Sequence, residues 1–306
     1  MSDIVGTVVT RMPAMIVVST SVAPVSVVAT VGQPDIDAHP EWCSVDPATL
    51  AAIGRQVGHQ VRIRRSAAEF ALYTVAESHL LEPPGTVRIG PAGKARLGPG
   101  EEFAATIDAQ GPDPTRSDAA AEATGELVER LTDGGGRLIA IAPHGGDIEP
   151  RTDDQAEQVR MLLAAERASS WMCRGWRPGG GAVDRWHITS ADLAPNCFPQ
   201  LHTVIRRGFT DAVAFHGSRG SQVLVGGGAA SSGLQETIAA AIRLATGLAV
   251  RVADPDDRLG GNDPRNVVNR LTAGGANGVQ IEQPFAARRD HGPAIVKAVV
   301  DIYRAL

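Results

Sequence analysis

The sequence has almost no lysine and few aromatic residues. Lys94 and Lys297 are its two lysines, so the other 27 of its 29 basic residues are arginine. Asp and Glu together number 34, which gives a formal net charge of −5. Nucleic acids and anionic membranes both need a basic surface, so this charge argues against generic affinity for either. Arginine binds carboxylates bidentately, so a carboxylate-rich ligand is easily accommodated.

Cysteines and long apolar runs are also scarce. Cys43, Cys173 and Cys197 are too few and too scattered for a disulfide framework or a cysteine zinc site. Cys173 and Cys197 could pair in an exported protein or stay free in a reduced one. No run reaches the ~20 apolar residues of a membrane span. Segment 12–31 contains two prolines and makes a poor signal peptide. This favours the cytoplasm over secretion, with both locations and the oligomeric state left open.

The 306 residues are long enough for a large and a smaller domain. Residues 1–45 read as an N-terminal extension. Residues 46–110 contain short alternating apolar runs separated by Pro-Pro-Gly and Gly-Pro-Gly turns, which predict a small β domain. Residues 111–116 read as a linker, and residues 117–306 as the main domain.

Strands and helices alternate over residues 117–306. This order predicts an α/β fold with a mixed, mostly parallel sheet flanked by helices. A helix is expected from Ser117 to the glycines after Asp133, and strands are expected at 137–142 and 186–189, among others. Functional groups are expected where strands end in loops.

Three predicted strands end in residues suited to metal chemistry. One runs into His144 and, after a glycine-rich turn, Glu149, while a second ends at His216. Two imidazoles and one carboxylate can hold zinc and leave a position for water. The third strand ends at Glu282, which could take a proton from that water.

Five segments carry a family resemblance. They are Ile-Ala-Pro-His-Gly-Gly-Asp-Ile-Glu-Pro (141–150), Trp-His-Ile-Thr-Ser (186–190), Ala-Val-Ala-Phe-His-Gly (212–217), Asp-Pro-Arg-Asn-Val-Val-Asn-Arg (263–270) and Gly-Val-Gln-Ile-Glu (278–282). Together they resemble the poly-γ-glutamate hydrolase family, which includes phage depolymerases and is similar to carboxypeptidase A-type zinc peptidases. The resemblance covers about residues 117–306 and does not extend over 1–110.

The resemblance implies a zinc carboxypeptidase-like fold and a zinc-dependent hydrolase. Its zinc ligands would be His144, Glu149 and His216, and Glu282 would be the general base. The implied substrate is an acidic polymer or peptide with γ-glutamyl amide bonds, most simply poly-γ-glutamate. Peptidoglycan γ-glutamyl bonds stay open as an alternative.

Several further residues are candidates for supporting roles. His187 is expected to stand behind the metal ligands as a hydrogen-bond donor, with ligand or core histidine as alternatives, and Asp147 is a reserve carboxylate. Arg270, with the neighbouring Asn269, and Arg185 are the candidates for binding substrate carboxylates. Arginine is abundant here, so a solvated surface role is an alternative for each.

Two other functions compete with the hydrolase. The strand and glycine-rich turn around Gly226 and Gly228 imitate a dinucleotide-binding unit, but Ser231 stands at the third glycine position. This nucleotide-binding, Rossmann-like alternative is kept beside a non-catalytic binding module of the hydrolase fold.

Overall fold

The computed structural model describes residues 21–228 and 231–306. The first 20 residues of the predicted N-terminal extension lie outside this range, as do residues 12–20 of segment 12–31. In the described residues, no helix is long and apolar enough to cross a membrane. All three cysteines are buried and free, so Cys173 and Cys197 are not paired.

The N-terminal part of the described chain is a closed six-stranded barrel with strand order β1-β5-β2-β4-β3-β6. The strands are β1 (Val22–Val28), β2 (Trp42–Val45), β3 (Gln60–Arg64), β4 (Phe70–Glu77), β5 (Thr86–Arg88) and β6 (Phe103–Asp108). The helices between them are α1 (Pro34–Ala38), α2 (Pro47–Ile53) and α3 (Pro91–Ala95). Closure pairs every strand on both sides, so the barrel has no free edge. Its centre is filled by apolar side chains such as Val27, Ile63 and Tyr73.

The barrel begins earlier than the sequence indicated. β1 pairs with β5 and β6, and β2 pairs with β4 and β5. Both strands precede residue 46, the predicted start of the small β domain. Residues 22–45 are therefore part of the barrel and not an extension, because the barrel closes only through β1. The division after residue 110 stays a prediction.

The second part of the chain is built on a seven-stranded sheet with strand order β12-β11-β13-β10-β8-β9-β7. The strands are β7 (Leu127–Thr132), β8 (Leu138–Gly146), β9 (Ser169–Gly175), β10 (Asp211–Ser218), β11 (Val223–Gly227), β12 (Val250–Val252) and β13 (Gly278–Pro284). Four neighbouring pairs are parallel, and the β11–β13 and β7–β9 pairs are antiparallel. The predicted α/β class is confirmed. The sheet is mixed and accompanied by a barrel, so the finer likeness to carboxypeptidases stays a prediction.

Helices cover both faces of this sheet. They are α4 (Asp118–Thr124), α5 (Thr152–Leu162), α6 (Ala182–Trp186), α7 (Pro199–Val204), α8 (Ser232–Thr246), α9 (Val267–Arg270) and α10 (Phe285–Ala305), with short 3-10 turns at Pro195–Cys197 and Ala273–Gly275. Alternate residues of β8 serve two cores. Ala140 packs with α5, α8 and α10, and Ile141 packs with α6 and α7. Burial on both faces explains the continuous apolar strand seen in the sequence.

Two predicted elements are wrong. The helix expected from Ser117 to Asp133 ends at Thr124, because Gly125 takes a left-handed conformation and the following residues pair as β7 with β9. The strand expected at 186–189 does not form. Residue 186 ends α6, and Arg96 of the barrel donates a hydrogen bond to the His187 carbonyl. That carbonyl therefore bonds to a barrel side chain and not to a neighbouring strand.

A buried carboxylate anchors α7 to the sheet. Glu129 of β7 accepts hydrogen bonds from Trp171 Nε1 at 2.6 Å and from the backbone N–H groups of Gln200 and Leu201 at 2.8 and 2.6 Å. Those two N–H groups belong to the first turn of α7, where helices lack internal acceptors. Burial nevertheless raises the pKa of Glu129 to about 7, although the three donors act in the opposite direction.

The raised pKa of Glu129 predicts a pH-dependent stability. The folded state binds a proton at this carboxyl that the unfolded state, with a pKa near 4.5, releases more easily. The contribution of this proton to the free energy of unfolding is fully present below pH 4.5 and is lost as the pH rises towards 7. The loss amounts to roughly 3 kcal/mol. We expect the free energy of unfolding of the wild type, relative to Glu129→Gln, to fall over this range in urea titrations. The exposed Glu236→Gln is the control, and a pH-independent difference for Glu129→Gln would contradict the raised pKa.

Candidate functional site

The candidate site lies where three neighbouring strands end. β10 lies between β8 and β13 and runs parallel to both, so the carboxyl ends of all three strands meet at one edge of the sheet. His144 is near the end of β8, and His216 of β10 pairs in register with Glu282 of β13. Paired residues of parallel strands point to the same face. The topology therefore brings these three predicted site residues together.

The chain folds back after β8 to add Glu149. Gly146 has a φ of 66°, and a Cβ there would lie 2.9 Å from the Gly175 carbonyl oxygen, so glycine is required for the turn. The Glu149 N–H then donates to the His144 carbonyl at 2.8 Å. This hydrogen bond brings Glu149, the fifth residue after His144, back next to it, as the glycine-rich sequence predicted.

The donor atoms of His144, Glu149 and His216 form a compact cluster. Nδ1 of His144 lies 3.2 Å from Glu149 Oε1 and 3.2 Å from His216 Nδ1, while His216 Nδ1 lies 3.4 Å from Glu149 Oε2. All three residues are buried. Ligands at the usual zinc distances of ~2.0–2.2 Å stand roughly 3.3–3.6 Å apart when tetrahedral, so the spacing fits such an ion.

Hydrogen bonds fix the direction in which the cluster faces. Nε2 of His144 lies 2.9 Å from the Ile188 carbonyl, which can only accept, so Nε2 carries the proton and Nδ1 offers its lone pair to the cluster. The Gly217 N–H donates to Glu149 Oε2 at 2.8 Å. The two anchors hold the ring and the carboxylate in orientations that suit a metal.

The charges of the cluster are strongly coupled. Burial alone raises the pKa of Glu149, but His144 and His216 together hold it well below its usual value. Burial lowers the pKa of His144, and the charge and hydrogen bond of Glu149 outweigh this and raise it overall. Burial lowers the pKa of His216, and Glu149 only partly offsets that effect. Glu149 is thus an ionised carboxylate between two imidazoles, the donor chemistry of a zinc site.

Glu282 stands beside the cluster in a polar chain of its own. Gln280 Nε2 donates to Glu282 Oε1 at 2.9 Å, and Asn266 Nδ2 donates to Gln280 Oε1 at 2.8 Å. Burial, together with the charge of Glu149, raises the pKa of Glu282 well above its usual value. Glu282 is therefore a buried carboxyl with a fixed orientation next to His216, as a proton-transfer group requires.

The second part of the chain is similar to known proteins. The family model described as poly-gamma-glutamate hydrolase matches residues 120–291, more than half of the sequence. The chain belongs to the poly-gamma-glutamate hydrolase family. The match contains the two histidines and two glutamates of the site, and it excludes the barrel.

Individual relatives are more distant. The SPbeta prophage-derived UPF0714 protein YoqZ of Bacillus subtilis (strain 168) is 27% identical over 161 residues, which are 52% of this chain and 53% of YoqZ. The chain thus spans about half the length of this curated relative. A bacteriophage poly-gamma-glutamate hydrolase structure is 26% identical with a TM-score of 0.50, over 58% of this chain and 88% of that one. Zinc-free YNDL is 20% identical with a TM-score of 0.46, over 58% and 89%.

One buried arginine beside the cluster was not among the residues predicted from the sequence. Arg288 of α10 is buried, and its Nε and Nη1 have no hydrogen-bond partner among the described residues. A Cβ at Gly217 would lie 1.5 Å from Arg288 Nη1, so the guanidinium occupies the space beside this glycine, next to His216. Burial lowers the pKa of Arg288, and the charges of Glu149 and Glu282 oppose this. The glycine after a strand-end histidine was the available signal, but the sequence did not say which arginine fills its place.

His187 lies next to the cluster, while Asp147 does not join it. The ring of His187 stacks on His144 with centroids 4.3 Å apart, and the donor atoms of His144, Glu149 and His187 lie within 4.8 Å of one another. This group is looser than the one containing His216, so His187 fits better behind the ligands. Burial lowers its pKa to about 4. Asp147 is exposed in the turn, with its N–H bonded to the Gly175 carbonyl.

The structure does not bring the three predicted substrate-binding residues to the cluster. Asn269 packs against Gly278, which is four residues, or about 13 Å, before Glu282 on the same strand. Arg270 donates to the Leu193 carbonyl at 2.8 Å. Arg185 donates to the carbonyls of Gly125 and Ala68 and lies over the Phe70 ring, between sheet and barrel. Each position follows from long-range packing that a local sequence pattern does not contain.

The glycine-rich turn that suggested nucleotide binding has a packing explanation. A Cβ at Gly226 would lie 2.1 Å from the Gly260 carbonyl oxygen, and one at Gly227 would lie 2.0 Å from that of Gly278. β11 is parallel to β12, as in a dinucleotide-binding unit, but it runs antiparallel to its other neighbour, β13. The glycines of this turn allow backbones to approach closely.

The polar chain behind Glu282 predicts a stability effect. Gln280→Leu leaves the buried Asn266 amide and Glu282 carboxyl without their partner, which should lower the free energy of unfolding by about 1–3 kcal/mol. Urea unfolding measures the difference, and Gln110→Leu at an exposed glutamine is the matched control. An equal loss of unfolding free energy in both variants would show that the hydrogen bonds of Gln280 contribute nothing specific to stability.

Proposed function

We propose that the protein is a zinc-dependent hydrolase that cleaves γ-glutamyl amide bonds in poly-γ-glutamate. The observation that carries this proposal is the buried cluster of His144, Glu149 and His216, with donor atoms 3.2–3.4 Å apart. Membership of the poly-gamma-glutamate hydrolase family supports the substrate. The carboxypeptidase-like arrangement belongs to the same proposal.

The chemistry divides among residues of the chain. His144, Glu149 and His216 would hold the zinc, which when bound polarises a carbonyl and lowers the pKa of a water. Glu282 takes a proton from the attacking water and returns it to the leaving amine. Gln280 holds the Glu282 carboxyl in place for both transfers. The same carboxyl can first accept and then donate the proton without changing its position, as general acid–base catalysis allows.

Arg288 stabilises the negative charge that develops on the reacting carbonyl. Two of its buried nitrogens, Nε and Nη1, have no hydrogen-bond partner among the described residues, and the guanidinium fills the space beside Gly217, the residue after His216. A buried donor without an acceptor costs free energy in the resting protein. The negative charge that develops on the carbonyl oxygen gives the Arg288 donors an acceptor. Their attraction therefore becomes stronger in the transition state than in the resting protein, which lowers the barrier.

The central test is metal-dependent cleavage of the polymer. We expect purified protein to shorten poly-γ-glutamate, as seen by size-exclusion chromatography. A chelator should stop the reaction and added zinc should restore it. His216→Ala should abolish both zinc binding and cleavage, because it removes one of three ligands. His202→Ala, at an exposed histidine of α7, is the control and should behave as wild type.

Glu282→Gln separates binding from catalysis in this experiment. It should keep stoichiometric zinc, measured by elemental analysis, and lose most of its turnover because the amide cannot take the proton. γ-Glutamyl oligopeptides and peptidoglycan fragments are run as parallel substrates. An intact polymer beside a cleaved alternative would overturn the substrate assignment. Bound zinc with no cleavage of any of them would favour a non-catalytic binding module.

The role of Arg288 predicts a specific kinetic signature. Arg288→Gln should lower kcat about 100- to 1,000-fold, as loss of an oxyanion donor does, with little change in KM or zinc content. Arg289→Gln is the matched control, because this neighbouring arginine is exposed and pairs with Asp290. A variant whose KM rises while kcat stays constant would instead assign Arg288 to a substrate carboxylate.

A further inference from the structure

The barrel touches the loop that supports the metal cluster. This loop, residues 187–190, lies between α6 and the 3-10 turn and contains neither helix nor strand. Its Ile188 carbonyl accepts the Nε2 hydrogen bond of His144, and its His187 ring stacks on His144. The position of loop 187–190 therefore sets the orientation of one proposed metal ligand.

Glu41 of the barrel holds loop 187–190 from one side. The carboxylate is nearly buried, with 9% of the residue exposed. Its Oε1 accepts a hydrogen bond from Thr189 Oγ1 at 2.5 Å and lies 3.9 Å from His187 Nδ1. Burial raises the pKa of Glu41, but Thr189, His187 and Arg96 lower it overall, so the group is an ionised acceptor. It contacts the residues on both sides of Ile188.

Arg96 of the barrel holds the start of the same loop. Its guanidinium donates to the carbonyls of Asp184 at 2.5 Å, His187 at 3.3 Å and Pro40 at 3.2 Å. Pro40 is next to Glu41, so one cation ties the barrel turn to the end of α6. The side chain is buried and stacks over the Tyr73 ring of the barrel wall. This leaves it little freedom to move.

A second set of bonds fixes the chain after the loop. Trp42 Nε1 donates to Asp192 Oδ2 at 2.8 Å, and Gln60 Nε2 donates to the Asp192 carbonyl at 2.7 Å. The Ala194 N–H donates to Gln60 Oε1 at 3.0 Å. Barrel side chains thus bond to the segment before, within and after loop 187–190.

We propose that the barrel is a working part of the metal site, with Glu41 as the positioning residue that holds loop 187–190 against His144. The matched family region begins at residue 120, so this contribution comes from outside it. Groups that orient metal ligands typically change metal affinity 10- to 100-fold when they are lost. The inference rests on the proposed zinc site, and its test is metal binding, which needs no substrate.

The test compares Glu41→Gln, Thr189→Val and their double variant with the wild type, all as the full chain. Both substitutions preserve shape. We expect each single variant to bind zinc about 10- to 100-fold more weakly in competition with a chromophoric chelator. Glu41→Gln removes the charge that strengthens this hydrogen bond, and Thr189→Val removes its donor, so both changes act on the same contact. The double variant should therefore bind zinc no more weakly than the single variant with the lower affinity. The visible spectrum of bound Co²⁺ should also shift, which reports a changed ligand geometry around the ion.

The matched control is Glu82→Gln, which removes a carboxylate paired with Arg88 elsewhere in the barrel. It should leave the zinc affinity and the Co²⁺ spectrum unchanged. Each variant is measured below its melting temperature, so that folded proteins are compared. Wild-type affinity and spectrum in both single variants would overturn the inference while leaving the zinc site intact. A wild type that binds no zinc would overturn the proposed function, and this inference with it.

Discussion

The pairing of β10 between β8 and β13 is the constraint on which the site depends. It places two imidazoles and one carboxyl at one buried edge, the turn after β8 adds the Glu149 carboxyl, and each ionised group there costs free energy unless it is paired. Glu149 solves part of this problem by lying between His144 and His216. Glu282 is held by an amide, and within the described part of the chain no cation pairs with it. The buried edge thus contains two carboxyls and two imidazoles without enough positive charge to balance the carboxyls. A divalent cation would supply that charge.

The same constraint explains the supporting structure around the edge. The Ile188 carbonyl fixes His144, the Gly217 N–H fixes Glu149 and the Gln280 amide fixes Glu282. These partners come from a loop, a strand end and a strand interior. A shift of any of them would misalign a donor atom, because a metal tolerates little variation in distance. Glycine at 217 then leaves room for the guanidinium of Arg288 from α10.

Much of the site could be predicted because its residues follow a local rule. His144, His216 and Glu282 each end an apolar strand, and parallel strands bring such ends together. Glu149 follows from the glycine turn after His144. Arg288 could not be predicted, since it reaches the edge only after α10 packs on the sheet. The same limit applies to Arg185 and Arg270, whose partners are backbone carbonyls distant in sequence. The chain is rich in arginine, so residue type alone did not separate them.

The barrel is connected to the candidate site more closely than the sequence indicated. The sequence separated a region that accounts for the chemistry from one that does not, because the family resemblance covers about residues 117–306 and does not extend over 1–110. The structure places Glu41 and Arg96 of the barrel against the loop that orients His144. Arg62, almost fully buried in the barrel, also pairs with Glu126 just before β7. Loss of Glu126 would leave the buried Arg62 with Asp108, at 3.5 Å, as its remaining ion-pair partner among the described residues, and weakening a buried pair destabilises the fold. A barrel held by such buried polar contacts is a rigid support and not a flexible tether. A metal ligand needs rigid surroundings to keep its donor atom in place.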